Sequence, residues 1–429
     1  MIIFIDLDGT LTNTASIKYK ALKDGLKDFS TEDIPVFYGA INFINHQKEI
    51  GNTTIILSDS HPKYVSKIAK EIFDLDYIYL SDKPNTSRVL QYIESHSEIK
   101  AVFNKKSEFL IIGDSALDIQ LGRKLYIPTI LTRFYRFTDD GDFDDTDLVG
   151  DERLLIKYGP TYIAKNFQSV SAIIDDRLGN LLAIEAIDKN KDSFNAVKFW
   201  DYKNQNRVVA FRCLARQENG ACDQFARADL YFQIDNPNRG QSVLQKLAGG
   251  AGNYIANACS HNGYRWDYIT YVSDKKTTTP TNKMKEIFDL IQTDIEKVKV
   301  FEWDENVSTS LRAEKDYSRR QNFIKEHLHI NKDINLASKN IIVIDDQLTT
   351  GATAFEIRRK LESLNVGNIL FIALFYMILE VTDDKLCPKC GKPMSIKTNR
   401  KKGNKFYSCV SNQYSGTGCG YIENIGRDD

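Results

Sequence analysis

Short apolar runs, each stopped by polar turn residues, recur along the chain between stretches of helical spacing. Ile2 to Ile5, Thr54 to Leu57 and Phe109 to Ile112 are such runs in the N-terminal half. Runs of this length predict strands buried on both faces, as in a parallel sheet. Val36 to Lys48 reads as a helix between two of them, and Tyr162 to Ile174 predicts a closing strand and helix. Farther on, Trp266 to Val272 is aromatic and β-branched, hence strand-like, and Ile341 to Ile344 is another buried run. The longest apolar stretch, Ile369 to Leu379, is too short for a membrane span and predicts a core strand. The pattern is that of an α/β protein.

The polar residues at the end of each run carry the chemistry. Asp6 and Asp8 come at the end of the first strand, with Gly9 and Thr10 behind them. Strands of open α/β sheets present ligands at their carboxyl ends. Two carboxylates there are costly unless they bind a cation or react. Ser58 closes the second run, Lys83 sits in YLSDKPN before a predicted helix, and Gly113, Asp114, Ser115 and Asp118 come directly after the third.

In this order D-x-D-G-T, a strand ending in Ser, a lysine and G-D-S-x-x-D resemble the four motifs of the haloacid dehalogenase (HAD) phosphohydrolases, over about the first 130 residues. The resemblance implies a Rossmannoid fold. It implies Asp6 as nucleophile and Asp8 as acid/base, with Ser58 and Lys83 on phosphate oxygens. Asp6, the Asp8 carbonyl and Asp114 would hold Mg²⁺, supported by Asp118. The family's cap domains are inserted after Thr10 or between Ser58 and Lys83. Both intervals are short here, so a nearly capless site is expected.

A second strand end is also polar. Ile341 to Ile344 leads into Asp345 and Asp346, then Thr349, Thr350, Gly351, Ala352 and Thr353, with a helix expected from about Phe355. Small hydroxylic residues and glycine at a helix start offer donors to a phosphate, and adjacent acids accept from vicinal hydroxyls. This resembles the signature of the type I phosphoribosyltransferases for phosphoribosyl pyrophosphate (PRPP). It implies Asp345 and Asp346 on the ribose and 349–353 on the 5-phosphate. Purine-salvage members carry Asp where Thr349 stands, which argues against that branch. Lys275 and Lys276, with Thr277 and Thr278, fall where the family has its pyrophosphate loop; a solvated lysine pair is the alternative. Residues 308–327 resemble the arginine-bearing segment of the ComF-like branch, so Arg319 and Arg320 would close over pyrophosphate; an exposed charged helix is the alternative. Asn195 to Gly252 is unassigned and would form a hood over the base.

Four of the seven cysteines, Cys387, Cys390, Cys409 and Cys419, fall in the tail. Two close thiols and two distant ones suit a structural Zn²⁺, which would supply folding energy the small polar tail lacks. The segment resembles the C-terminal zinc ribbons of type IA topoisomerases, with wider spacing before Cys419. That implies single-stranded DNA or RNA as a partner: Lys392, Lys397, Arg400, Lys401, Lys402 and Lys405 surround Phe406, Tyr407 and Tyr414. A zinc clip with a solvated basic loop is the alternative. Cys213, Cys222 and Cys259 are scattered and read as reduced.

Composition narrows the rest. At 429 residues, 42% hydrophobic and 27% charged, the chain has ample core for several domains. A net charge of −1 argues against a nucleic-acid-coating protein. No signal peptide or membrane span is read, so a soluble cytoplasmic location is expected. The expected domains are 1–185, HAD-like; 190–381, phosphoribosyltransferase; and 383–429, zinc ribbon. Acid-rich 137–153 reads as a surface insertion and 188–195 as a linker. The expected function is bifunctional: PRPP- or nucleotide-dependent phosphoribosyl transfer coupled to Mg²⁺-dependent hydrolysis of a nucleotide or phosphosugar monoester. By family-level analogy such pairs belong to bacterial stress and phage-defence clusters. The alternative is a nucleic-acid-associated sensor whose transferase fold only reads nucleotides. This transferase fold often dimerises, so a homodimer is also an expectation.

Overall fold

The computed structural model describes residues 1–80, 83–132, 152–187, 194–204, 207–217, 240–261, 264–275, 282–305, 307, 317–378, 385–390, 394–398, 405–409 and 419–424. The chain divides into two compact units. The first comprises Met1–Asp151, Pro160–Ala172 and Val381–Asp429, and the second Glu152–Gly159 and Ile173–Glu380.

In the first unit the apolar runs form the expected parallel strands. They are β1 (Ile2–Asp6), β2 (Thr53–Ser58), β3 (Asp76–Tyr79), β4 (Phe109–Gly113), β5 (Thr129–Thr132) and β6 (Tyr162–Ala164). Their order is β3-β2-β1-β4-β5-β6, all parallel. β1 and β4 are buried along their whole length, which is why their sequences do not alternate. Phe4, Ile55, Leu57, Phe109 and Ile111 pack in one core with Leu121 and Leu125 from the helix Ala116–Lys124 and its end. The helix expected over 36–48 runs Ala40–Glu49. Between Ser58 and Lys83 lie only the helical segments Pro62–Ile68 and Ala69–Phe73 and strand β3, among the described residues. Asp6 therefore emerges from a central strand, beside the point where the order reverses.

The second unit is also α/β. Its strands are β7 (Val197–Asn204), β8 (Arg207–Gln217), β9 (Tyr268–Tyr271), β10 (Glu296–Lys297), β11 (Phe301–Trp303), β12 (Leu328–Ile330), β13 (Ile341–Leu348) and β14 (Ile369–Met377). The main sheet runs β10-β9-β13-β14-β8-β7, parallel except for the β7–β8 hairpin. β11 and β12 pair separately. Two expectations need correction. Residues 197–217, read as hood material, are largely β7 and β8, and β8 pairs with the core strand β14. The helix after the acid pair starts at Ala352, not Phe355, and runs Ala352–Ser363. β13 also continues past the acids, pairing through Leu348 with Tyr376. A fully buried ion pair lies in this unit: Glu185, on the helix Ala183–Ile187, accepts from the Arg216 backbone N–H at 3.0 Å, from Nε at 3.1 Å and from a terminal guanidinium nitrogen at 3.0 Å.

The cysteine-bearing tail forms a three-stranded antiparallel sheet, β15 (Met394–Thr398), β16 (Lys405–Cys409) and β17 (Ile422–Asn424). No helix among the described residues is long and apolar enough to cross a membrane. Outside the described residues fall 137–151 of the acidic insertion, 188–193 of the linker and Cys222.

Candidate active site

The loop ends of β1, β2 and β4 bring the N-terminal motif residues together. Lys83 Nζ donates to Asp6 Oδ1 at 2.5 Å and to Asp118 Oδ1 at 2.6 Å. Asp118 is fixed from its other oxygen, which accepts from the Ser115 N–H at 3.2 Å and hydroxyl at 2.7 Å in a capping box. Ser58 is buried at the end of β2, and its Oγ accepts the Ser60 N–H at 3.1 Å. Gly9 turns the chain behind the acids at φ +89°, and a Cβ there would lie 2.1 Å from Asp114 Oδ2. Only glycine permits both the conformation and the approach.

Asp6, Asp114 and Asp118 place carboxylate oxygens within 4.8 Å of one another, all buried. One ammonium does not balance three carboxylates. Burial lifts Asp6 well above the usual carboxylate range, against the pull of Lys83. Burial and the Asp118 charge push Asp114 up to about 8. For Lys83 burial opposes the charge, yet Asp118 and Asp6 outweigh it and hold the ammonium above its ordinary value. A cluster of hard oxygens with excess negative charge fits a divalent cation such as Mg²⁺. Asp8 sits apart from this cluster. Its carboxylate is hydrogen-bonded by Thr14, Ser60 and Tyr64, and burial raises it too. Those three hydroxyls were not foreseen.

In the second unit Asp345 and Asp346 lie in β13, and the Asp346 N–H donates to Asp345 Oδ1 at 2.9 Å. Burial, then the Asp346 charge, raises Asp345 well above the carboxylate range. Lys283 Nζ reaches Asp346 Oδ2 at 2.6 Å. This lysine was missed, though a sign was present: it shares a buried face with Met284, Ile287 and Phe288 of the helix Lys283–Leu290. Arg320, on the helix Tyr317–His327, donates to Thr349 Oγ1 at 2.9 Å. The Lys275 ammonium lies over Trp303 at 4.7 Å and Phe323 at 4.8 Å from the ring centroids. Burial and the Arg320 charge push Lys275 down to about 8, against Asp346 and Asp345. The Ala352 N–H donates to Thr350 Oγ1 at 3.4 Å, and Gly351 caps the helix that Ala352 and Thr353 begin. Arg319 is exposed on its helix, while Lys276, Thr277 and Thr278 lie outside the described residues.

At the tail, Cys387 and Cys419 sulfurs are 3.6 Å apart and Cys390 and Cys409 sulfurs 3.5 Å. All four lie within 4.8 Å of one another. A disulfide requires about 2.05 Å. Sulfurs around a tetrahedral Zn²⁺ with bonds of about 2.3 Å sit about 3.8 Å apart. The donor set fits zinc. Of the basic and aromatic residues around it, Phe406 and Tyr407 are half-buried; Lys392, Arg400, Lys401, Lys402 and Tyr414 lie outside the described residues.

No protein-family model matches the chain, and no curated protein matches its sequence. Among solved structures it is similar to a HAD-superfamily hydrolase from Ehrlichia chaffeensis, at 16% identity over 41% of this chain and 95% of that one, TM-score 0.28. A predicted phosphatase from Clostridium acetobutylicum matches at 18% identity over 41% of this chain and 98% of that one, TM-score 0.30. A HAD family hydrolase from Deinococcus radiodurans, solved with bound phosphate and sodium, matches at 11% identity over 42% and 96%, TM-score 0.32. At such identities and scores, chemistry rests on the side chains above.

Proposed function

We propose that the first unit is a phosphate monoester hydrolase that works through an aspartyl-phosphate on Asp6. The observation that carries this reading is the buried set Asp6, Lys83, Asp114 and Asp118, an anionic cradle crossed by one ammonium. Asp6 attacks phosphorus, the bond to the leaving oxygen breaks, and Asp8 gives that oxygen a proton. Asp8 then takes a proton from water as the water attacks, and the Asp6–phosphorus bond breaks to release orthophosphate. Ser58 and Lys83 bind the non-bridging oxygens. Asp6 and Asp114, with the Asp8 carbonyl, would hold Mg²⁺, which would supply charge neutralisation on the phosphoryl group. An Asp6→Asn protein should lose hydrolysis of an aryl phosphate; retained hydrolysis removes the nucleophile named here.

The second unit, on this reading, binds PRPP or a nucleotide and transfers the phosphoribosyl group to an acceptor as its C1 bond to pyrophosphate or to the base breaks. The Arg320–Thr349 contact beside Asp345, Asp346, Lys275 and Lys283 favours an anionic ligand with vicinal hydroxyls. The product then becomes the substrate of the nearly capless phosphatase, and the Asp6→Asn protein should accumulate it by mass spectrometry. PRPP-dependent pyrophosphate release that survives Asp346→Ala rejects the transferase site. The zinc ribbon is assigned to structure and to docking single-stranded nucleic acid; a salt-dependent DNA shift abolished by Cys387→Ser tests the docking.

A further inference from the structure

Asp8 is held from three separate points of the chain. Thr14 Oγ1 donates to Oδ1 at 2.5 Å, Tyr64 OH donates to the same oxygen at 3.0 Å, and Ser60 Oγ donates to Oδ2 at 2.7 Å. Thr14 lies in the loop after β1, Ser60 just past β2, and Tyr64 in the helix Pro62–Ile68. All three are buried, at 0%, 8% and 1% exposure. The anchors are themselves braced. Thr12 Oγ1 lies 2.7 Å from Thr14 Oγ1. The Tyr64 ring packs on Phe29 with centroids 5.3 Å apart. Lys67 covers Phe29 and donates to its carbonyl at 2.6 Å.

We propose that Thr14, Ser60 and Tyr64 are positioning residues that fix the orientation of the Asp8 carboxyl and leave one site on Oδ2 for the transferred proton. The inference deepens the phosphatase reading and rests on it. An unsupported aspartate turns broadly about its last torsion. A general acid that must later act as base has to present the same oxygen to a leaving group and then to a water. A carboxylate offers about four lone-pair sites. Oδ1 uses two and Oδ2 one, so the unused site lies on Oδ2. The segment 13–35 is too short for a cap domain. Its role on this reading is to bring Thr14 to Asp8 and Phe29 to Tyr64.

The test compares two substrates, para-nitrophenyl phosphate, whose leaving group needs little protonation, and ethyl phosphate, whose leaving group needs it fully. Tyr64→Phe and Ser60→Ala should lower kcat/KM, which reports the phosphorylation step, on ethyl phosphate about tenfold or more beyond any loss on the nitrophenyl ester. With the nitrophenyl ester the variants should also accumulate phosphorylated Asp6, seen as intact mass after acid quench, because water activation is slowed. Ser60→Thr, which keeps the hydroxyl, should restore both behaviours. Equal losses on the two esters, or no phosphoenzyme, overturn the positioning role while the phosphatase stands. Hydrolysis that survives Asp6→Asn overturns both.

Discussion

A glycine pair separates the two demands made on Gly9. Gly9 and Gly51 have similar backbones, at φ +89° and +80°, but a Cβ on Gly51 meets nothing within 4 Å, whereas one on Gly9 lies 2.1 Å from Asp114 Oδ2. Alanine at either position carries a left-handed backbone cost of about 1–2 kcal/mol. At Gly9 it also forces the two groups apart. Real Cβ contacts do not fall below 3.0 Å, so the separation must grow by at least 3.0 − 2.1 = 0.9 Å. Mg²⁺ binds oxygen at about 2.0–2.1 Å with little tolerance, so such a shift would take Asp114 out of reach of the Mg²⁺ proposed for this site. A misplacement of about 1 Å at a reacting centre costs about a hundredfold in rate. Gly51→Ala should therefore lose only stability. Gly9→Ala should lose comparable stability, about a hundredfold in aryl phosphate hydrolysis and most of its Mg²⁺ affinity by calorimetry. If the two variants match in activity and Mg²⁺ affinity, the contact between Gly9 and Asp114 does not shape the site.

Glu185→Ala removes the carboxylate that accepts three hydrogen bonds from the buried Arg216 and should destabilise the second unit by about 3–5 kcal/mol. Urea unfolding followed by tryptophan fluorescence reads that unit alone, because Trp200, Trp266 and Trp303 all belong to it. Lys275, pushed down to about 8, loses its charge as pH rises through that value. Affinity for PRPP should fall between pH 7 and 9, followed by Trp303 fluorescence, and Lys275→Met should bind weakly with no such fall. The lowered value also makes the charged lysine a cost to the fold: stability rises with pH from about 8 to the unfolded value near 10.4. A chelator, or Cys409→Ser, should release one zinc per chain in a colorimetric assay and abolish the β15–β17 sheet signals in NMR spectra; a ribbon that keeps its signals without metal refutes the zinc assignment.

The strands that carry the acids were legible because each is buried on both faces and ends abruptly in polar residues. Asp6, Lys83, Asp114 and Asp118 could then be placed from motif order, and the fold brings them into contact. The partners of Asp8 were not legible: Thr14, Ser60 and Tyr64 stand in no common pattern and converge only when β1 and β2 pair. Lys283 was hidden for a similar reason, since its partner Asp346 is far along the chain. β7 escaped because a bulge between Lys198 and Trp200 breaks its alternation, so Val197 and Phe199 are buried in one phase and the aromatics Trp200 and Tyr202 follow in the other.

The position of β8 sets an order of events at the ribosome. All six strands of the first unit's main sheet have been made by residue 164. β8 is complete at Gln217, but its inner neighbour β14 begins only at Ile369. Until then the β7–β8 hairpin carries an open edge with Val209, Phe211 and Cys213 lacking their final cover, a template for unwanted pairing. A nascent chain stalled before β14 should thus be the aggregation-prone and chaperone-dependent species, while all strands of the first unit's main sheet are already made.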